Sequence, residues 1–341
     1  MEYQLFVGAY TGDVPGTGVL SLGFDEERLW EISSAGGVTN PSYVCPEREY
    51  LYGVEELPDT ASVFRLGIDQ EGRFTQFERW EVPGAGLCHV VPVGPCLFVS
   101  GYAGGTLTGL GKSDGKTCYY NEFQGCGPNV LRQERAHIHS AQASPDGTRL
   151  LVADLGSDKV YQFVLQKDGS LEQDKTQPWA ATGAGQGPRH FAFHPNGEWI
   201  YLVTELDRSL LVFRYEDHRL EQTAQYSLRQ PSDPESSLAA DVHVTADGKF
   251  LYASVRGADC IYGFRVLEEG GLALLGRFSS GGSCPRSFAL SPDDRYVAVA
   301  NQETGNLCVF PRDSETGILK PAVCAIELPQ VSCVKWRAFS I

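Results

Sequence analysis

Short apolar runs separated by polar turns recur along the whole chain. Seven of them begin at Leu5, Leu51, Leu97, Leu150, Ile200, Leu251 and Val297, at steps of 46, 46, 53, 50, 51 and 46 residues. Six follow an earlier run that opens near Pro41, Cys88, His139, Arg189, Asp241 or Pro285. Turn signals such as Pro145-Asp146-Gly147, Pro195-Asn196-Gly197, Asp247-Gly248 and Pro292-Asp293-Asp294 join the two members of several pairs. A third run closes the unit, as in Val160-Tyr161-Gln162-Phe163 and Ile261-Tyr262-Gly263-Phe264. An outer strand is expected next, after Gly169-Ser170-Leu171 and Gly317-Ile318-Leu319. Four strands per unit, repeating about every 50 residues, describe a propeller blade. The pattern predicts an all-β, seven-bladed β-propeller with four antiparallel strands per blade, one domain over residues 1–341.

One blade is split between the termini. The Leu5 run has no inner strand before it, and Val331-Ser332-Cys333-Val334 stands where the next inner strand is due. Pairing the N- and C-terminal strands in one blade closes the ring and removes the free edges of an open sheet. The stretch from Gly109 to Arg135 lacks the period and is expected to be a rim loop.

Charge and composition narrow the partners. The net charge is −15 with no basic run, which excludes nucleic acid as an expected partner. No window approaches the roughly 20 apolar residues of a membrane span. The start, Met1-Glu2-Tyr3-Gln4-Leu5, lacks the basic and apolar regions of a secretory signal. The ten cysteines include no Cys-x-x-Cys pair. They are expected to be reduced thiols in the cytoplasm, with no metal and no cofactor. Cys88 reads as a packed small residue. Oligomeric state is left open.

Strand register then places the candidate chemistry. Antiparallel pairing sets the start of an inner strand beside the end of the second strand, at one mouth of the channel. Five residues beyond each second-strand start stand Tyr10, Glu56, Tyr102, Leu155, Glu205, Arg256 and Gln302. The inner-strand starts add Ser42, His89, His139, Arg189, His190, Asp241 and Arg286. Convergent polar groups in a concave mouth are a binding-site expectation. His139 and Glu205 are candidate bases. Arg189, Arg256 and Arg286 are candidate anion contacts in an acidic protein, with His190, His89 and Tyr102 beside them. His243 lies deeper and reads as a structural, hydrogen-bonded histidine. His194 reads as solvent-facing, and Asp146, Asp158, Asp247 and Asp293 as turn residues.

These segments carry a resemblance. Phe6-Val7-Gly8-Ala9-Tyr10-Thr11, Asn40-Pro41-Ser42-Tyr43, Cys88-His89-Val90, His139-Ser140, Gly187-Pro188-Arg189-His190, Asp241-Val242-His243 and Pro285-Arg286 resemble the seven-bladed propeller lactonase family. That family includes bacterial 6-phosphogluconolactonases and fungal carboxymuconate-lactonising enzymes, and the similarity covers the whole chain. In its lactonising members a histidine, two arginines and a glutamate are implicated. The residues matching them are His139, Arg189, Arg256 and Glu205; His137 adds a second imidazole nearby.

The resulting expectation is a lactone hydrolase for an anionic sugar lactone, 6-phospho-D-glucono-1,5-lactone, in the pentose phosphate pathway. Arg256 and Arg286 would hold the phosphate, Arg189 would face the oxyanion, and Glu205 or His139 would take the proton of the attacking water. A muconate-type cycloisomerase is the alternative enzyme. A non-catalytic propeller scaffold is the alternative from another class.

Overall fold

The second strand of each unit is buried on both faces, which is why it reads as an unbroken apolar run rather than an alternating one. Leu150, Leu151, Val152 and Ala153 are all fully buried, as are Val297, Ala298, Val299 and Ala300. In the computed structural model, which describes residues 3–12 and 18–337, these strands lie in seven antiparallel sheets. Together they form a seven-bladed propeller. The first two residues of the start read above as free of a signal lie outside the described residues.

The inner strands, in blades 1 to 7, are Tyr43–Glu47, Leu87–Val93, Ile138–Ala143, Pro188–Phe193, Leu238–Val244, Pro285–Leu290 and Val331–Trp336. The second strands are Tyr50–Glu56, Cys96–Gly101, Arg149–Asp154, Trp199–Thr204, Phe250–Arg256, Tyr296–Asn301 and Tyr3–Ala9. Apolar clusters fill the spaces between neighbouring blades. Among the described residues no helix is long and apolar enough to cross a membrane.

Blade 7 closes the ring as the repeat predicts. Strand Tyr3–Ala9 pairs with Val331–Trp336 from Leu5↔Trp336 to Ala9↔Val331. Trp336 ties this blade to blade 6 by donating Nε1–H to the Ala289 carbonyl at 2.9 Å. Its ring meets Tyr3 and Phe24 edge-on, with centroids 5.6 and 5.9 Å away.

Three details differ from the sequence reading. The aperiodic stretch is only partly a loop, because Thr117–Glu122 forms the outer strand of blade 2 and the rim loop follows it. The outer edge of blade 3 is divided, Leu171–Gln173 and Trp179–Ala181 both pairing with Lys159–Leu165. In blade 6, Leu319 makes an isolated bridge to Arg312, and the outer strand is Cys324–Glu327. Pro321 lies between them; without an N–H it cannot donate to a ladder.

The inner strands carry the feature that matters most for the channel. Pairing with the second strand skips residues between Leu87 and His89, Ile138 and Ser140, Pro188 and Phe191, Ala239 and Val242, and Pro285 and Ser287. Such bulges bend the strand and re-aim the side chains of the extra residues. The residues stepped over include Cys88, His139, Arg189, His190, Asp241 and Arg286.

Closure is testable through one side chain. Trp336→Ala should cost about 3–5 kcal/mol, the usual loss for a buried tryptophan, read as a lower urea midpoint with unchanged slope. A loss below about 1 kcal/mol would show that blade 7 does not need this contact.

Candidate active site

One carboxylate organises the mouth of the channel. Glu205 follows strand Trp199–Thr204 and is 2% exposed. Its Oε2 accepts Nε–H of Arg189 at 2.8 Å and lies 3.0 Å from Nη2 of Arg256. Its Oε1 accepts Nη2–H of Arg132 at 2.5 Å. The His139 Nε2 is 3.9 Å from Oε2. The three guanidiniums come from blade 4, blade 5 and the rim loop. Arg189 Nη1 also donates to the Ala240 carbonyl, and Arg256 Nη2 to the Ala239 carbonyl at 3.1 Å.

A second chain of contacts faces the first. Arg286 Nη2 donates to Tyr10 Oη at 3.0 Å, and Tyr10 Oη donates to Glu56 Oε2 at 2.7 Å. Between the two chains lies a cavity of about 230 Å³ bordered by Glu56, Tyr102, Arg132, His139, Arg256 and Arg286 among others. Tyr102 accepts from Arg132 Nη2 at 3.2 Å and stacks on His137, ring centroids 4.3 Å apart. His137 thus supports the tyrosine rather than joining His139.

Local turns fix these groups. Gly187 enters the blade 4 inner strand at φ +68°, and a β-carbon there would stand 2.8 Å from the Leu206 side chain. Asp158, read above as a turn residue, also holds this entry by accepting the backbone N–H of Gly187 at 2.8 Å and of Gly185 at 2.7 Å. It accepts Gln133 Nε2–H at 2.8 Å as well, anchoring the rim loop beside Arg132.

The charges set the protonation states. Burial alone would raise the Glu205 carboxyl, but Arg256, Arg189, His139 and Arg132 outweigh it and hold the pKa well below the usual carboxylate range. Burial, then Arg189 and His190, push His139 well below its ordinary value, against the pull of Glu205. At pH 7 Glu205 is ionised and His139 neutral. Burial lowers Arg256 to about 10, so it stays charged. Burial pushes the Cys88 thiol up, so it is not a nucleophile at neutral pH.

The structure brings His139, Glu205, Arg256, Arg286 and Tyr102 to one cavity. Arg189 stands behind Glu205 and borders a small void beneath. His89 and His190 border a different chamber, of about 350 Å³, at the far ends of the inner strands. The bulges explain the difference. Cys88, not His89, holds the place equivalent to His139, and a shift of one residue turns a side chain to the other face. His190 alternates with Arg189 and points away from the mouth, its Nδ1 2.8 Å from Asp241 Oδ1. His243 is partly exposed with its Nε2 3.3 Å from Asp241 Oδ2, without the alignment of a hydrogen bond. His194 is half-buried, not solvent-facing: Nδ1 accepts Asn196 N–H at 3.2 Å and Nε2 lies 3.1 Å from the Gly248 carbonyl. Arg132 was missed because its loop has no period to count from. Among the described residues no three His, Cys, Asp or Glu side chains are placed to hold a metal.

Comparison with known proteins adds a family to this geometry. The family described as "Lactonase, 7-bladed beta-propeller" matches residues 4–336. The chain is 33% identical over 348 residues to the 6-phosphogluconolactonase of Bacillus subtilis, covering 98% of both chains. It is 32% identical to the 6-phosphogluconolactonase of Formosa agariphila, covering 93% of this chain and 94% of the other. Among solved structures, the periplasmic gluconolactonase of Pseudomonas aeruginosa matches with a TM-score of 0.89 at 29% identity, over 98% of this chain and 99% of that one.

The buried carboxylate predicts a pH-dependent stability. Glu205→Gln leaves three guanidiniums without their partner and should cost about 3–5 kcal/mol at pH 7. The depressed pKa of Glu205 stabilises the fold above its unfolded value, near 4.5, and that contribution is lost as pH falls toward the folded value. The gap between native and Glu205→Gln proteins should therefore narrow below about pH 4.5. Denaturant titrations at several pH values check it; a constant gap would place the cost elsewhere.

Proposed function

The chain belongs to the seven-bladed β-propeller lactonase family, and on that premise we propose that it opens an anionic sugar lactone, 6-phospho-D-glucono-1,5-lactone, to 6-phosphogluconate. One observation carries the choice of substrate. Arg132, Arg189, Arg256 and Arg286 meet only Glu56 and Glu205 in and around the cavity, a formal excess of two positive charges. The whole chain carries −15. A phosphate monoester brings about −1.5 to −2 at pH 7 and balances that excess, whereas an unphosphorylated lactone leaves it standing.

Roles follow from access. Arg256 and Arg286 face the cavity and grip the phosphate, since a guanidinium fork matches phosphate oxygens. His139, neutral and at the cavity wall, takes a proton from water as its oxygen attacks the lactone carbonyl. Arg189 supplies positive field to the developing oxyanion from behind Glu205. Glu205 is held by three cations, which makes it a weak base and a strong positioning group. The setting we infer is the cytoplasm, where ten unpaired thiols stay reduced, and the pentose phosphate pathway.

The direct test is hydrolysis of 6-phosphogluconolactone against gluconolactone, corrected for spontaneous opening, with a muconate-type dicarboxylate as a third substrate. The phosphorylated lactone should lead in kcat/KM by about 100-fold, the worth of roughly 3 kcal/mol of charge-assisted hydrogen bonding. Equal rates on the two lactones remove the phosphate from the reading, and turnover of the dicarboxylate alone replaces it.

Variants separate binding from chemistry. Arg256→Ala should raise KM with kcat little changed, and Arg256→Lys should rescue poorly for want of the planar fork. His139→Ala should lower kcat by on the order of 10²-fold or more, beyond the loss in Glu205→Gln. A dead Glu205→Gln beside a nearly normal His139→Ala would make Glu205 the base.

A further inference from the structure

Ser42 Oγ and His190 Nε2 are among the buried polar atoms of the channel that lack hydrogen-bond partners. Both residues border one void of about 10 Å³, which His139 and Arg189 also border. That is room for a single water, and a polar void of this size holds one when two to four groups can bind it. The His139 and His190 rings meet edge to face beside it, with centroids 5.3 Å apart. Beyond His190 the polar path continues. His190 Nδ1 is 2.8 Å from Asp241 Oδ1, and Asp241 Oδ2 is 3.3 Å from His243 Nε2, a pair within reach that a turn of the partly exposed imidazole brings into hydrogen-bond alignment. The His243 side chain is 27% exposed and borders the chamber at the far ends of the inner strands, opposite the substrate mouth.

We infer that His190, Asp241 and His243, with one water beside Ser42, relay the proton of the reaction from His139 through the propeller axis to the opposite mouth. The inference rests on the lactone-hydrolase reading above. In that reaction water forms a bond to the carbonyl carbon and gives a proton to His139. The bond from that carbon to the ring oxygen then breaks, and His139 returns the proton to that oxygen. The new carboxylic acid then gives its proton to the freed His139, so lactone and water yield a carboxylate and one proton, now on the imidazole. That proton arises at the cavity wall, beneath bound product and among guanidiniums that resist a second cation.

Burial and the charges around the path disfavour a resting proton on His139, on His190 and on Asp241 alike, so a proton passes without being stored. Arg189 and Arg286 stand beside His139 and disfavour its protonated form. Asp241 offers a carboxylate on the far side, which also accepts Ser287 Oγ–H at 3.2 Å. His190 takes a proton on Nε2 as Nδ1–H passes to Asp241, so it is never required to store charge. That suits a ring whose pKa burial and Arg189 lower to about 4, with Lys335 adding to the effect from the chamber side. The chamber also holds His89, whose Nδ1 lacks a partner.

The test compares native protein with Asp241→Asn and His243→Gln on 6-phosphogluconolactone in dilute buffer. Both variants should lose about tenfold or more in kcat with KM unchanged, and added imidazole should restore the rate. Native turnover should not respond to imidazole. A loss that imidazole does not restore means the residues are structural and overturns the relay, as does an unchanged kcat. If Asp241→Asn fails to fold, the partly exposed His243→Gln carries the comparison. Native protein that turns over no lactone removes the hydrolase reading and the relay with it; active native protein with unaffected variants removes the relay alone. A crystal structure supplies a readout independent of turnover: a water within hydrogen-bond distance of Ser42 Oγ and His190 Nε2 is expected, and a dry void overturns the relay.

Discussion

Like charges do not gather unaided, and the mouth of this channel depends on the carboxylate that lets them. Two unit charges 4 Å apart interact by about 4 kcal/mol at an effective dielectric of 20. Arg132, Arg189 and Arg256 would repel one another on that scale without Glu205 between them. With it, three chain segments distant in sequence are held at one point, at 2.5, 2.8 and 3.0 Å from its two oxygens. The same cluster decides which neighbour can act as a base. It keeps Glu205 ionised and committed, while burial first and then Arg189 keep His139 neutral and available.

The ring supplies the rigidity this cluster needs. An open seven-sheet array would leave two edges free to shift, and the arginines of blades 4 and 5 would move with their sheets. Closure in blade 7 joins the first and last strands, and Trp336 fastens that blade to its neighbour through the Ala289 carbonyl. Fold and site are thus coupled. The apolar faces between blades set the distances at the axis, and the axis holds the polar groups that a closed core could not accept unpaired.

Legibility in the sequence followed the regularity of the strands. Second strands run without irregularity from their start to the mouth, so counting five residues found Glu56, Tyr102, Glu205 and Arg256 together. Tyr10 came from the same count and meets Glu56 across two blades. Inner strands are bulged, and there the count slipped: His89 was expected where Cys88 stands. Turn chemistry gave the hairpins but not the outer edge of blade 6, where Pro321 precedes the strand. Arg132 had no register to be counted from, since its loop is fixed by Gln133 and Asp158 rather than by a ladder. The partnership of His190 with Asp241 was equally hidden, because it joins adjacent blades 51 residues apart in sequence.

The bulges separate what the chain must keep from what it can vary. In six blades the axial residue belongs to no ladder pair, Ser332 in blade 7 included, so the ladder is indifferent to its side chain. Exchanging His139 or Arg286 for another residue alters the reagent at the axis, and for Arg286 its bond to Tyr10, while the backbone ladder on either side keeps its pairs. Architecture and reactivity are therefore written in different letters of the same strand. A ring of such positions is an interchangeable set of reagents, and a new activity could be assembled on it one blade at a time.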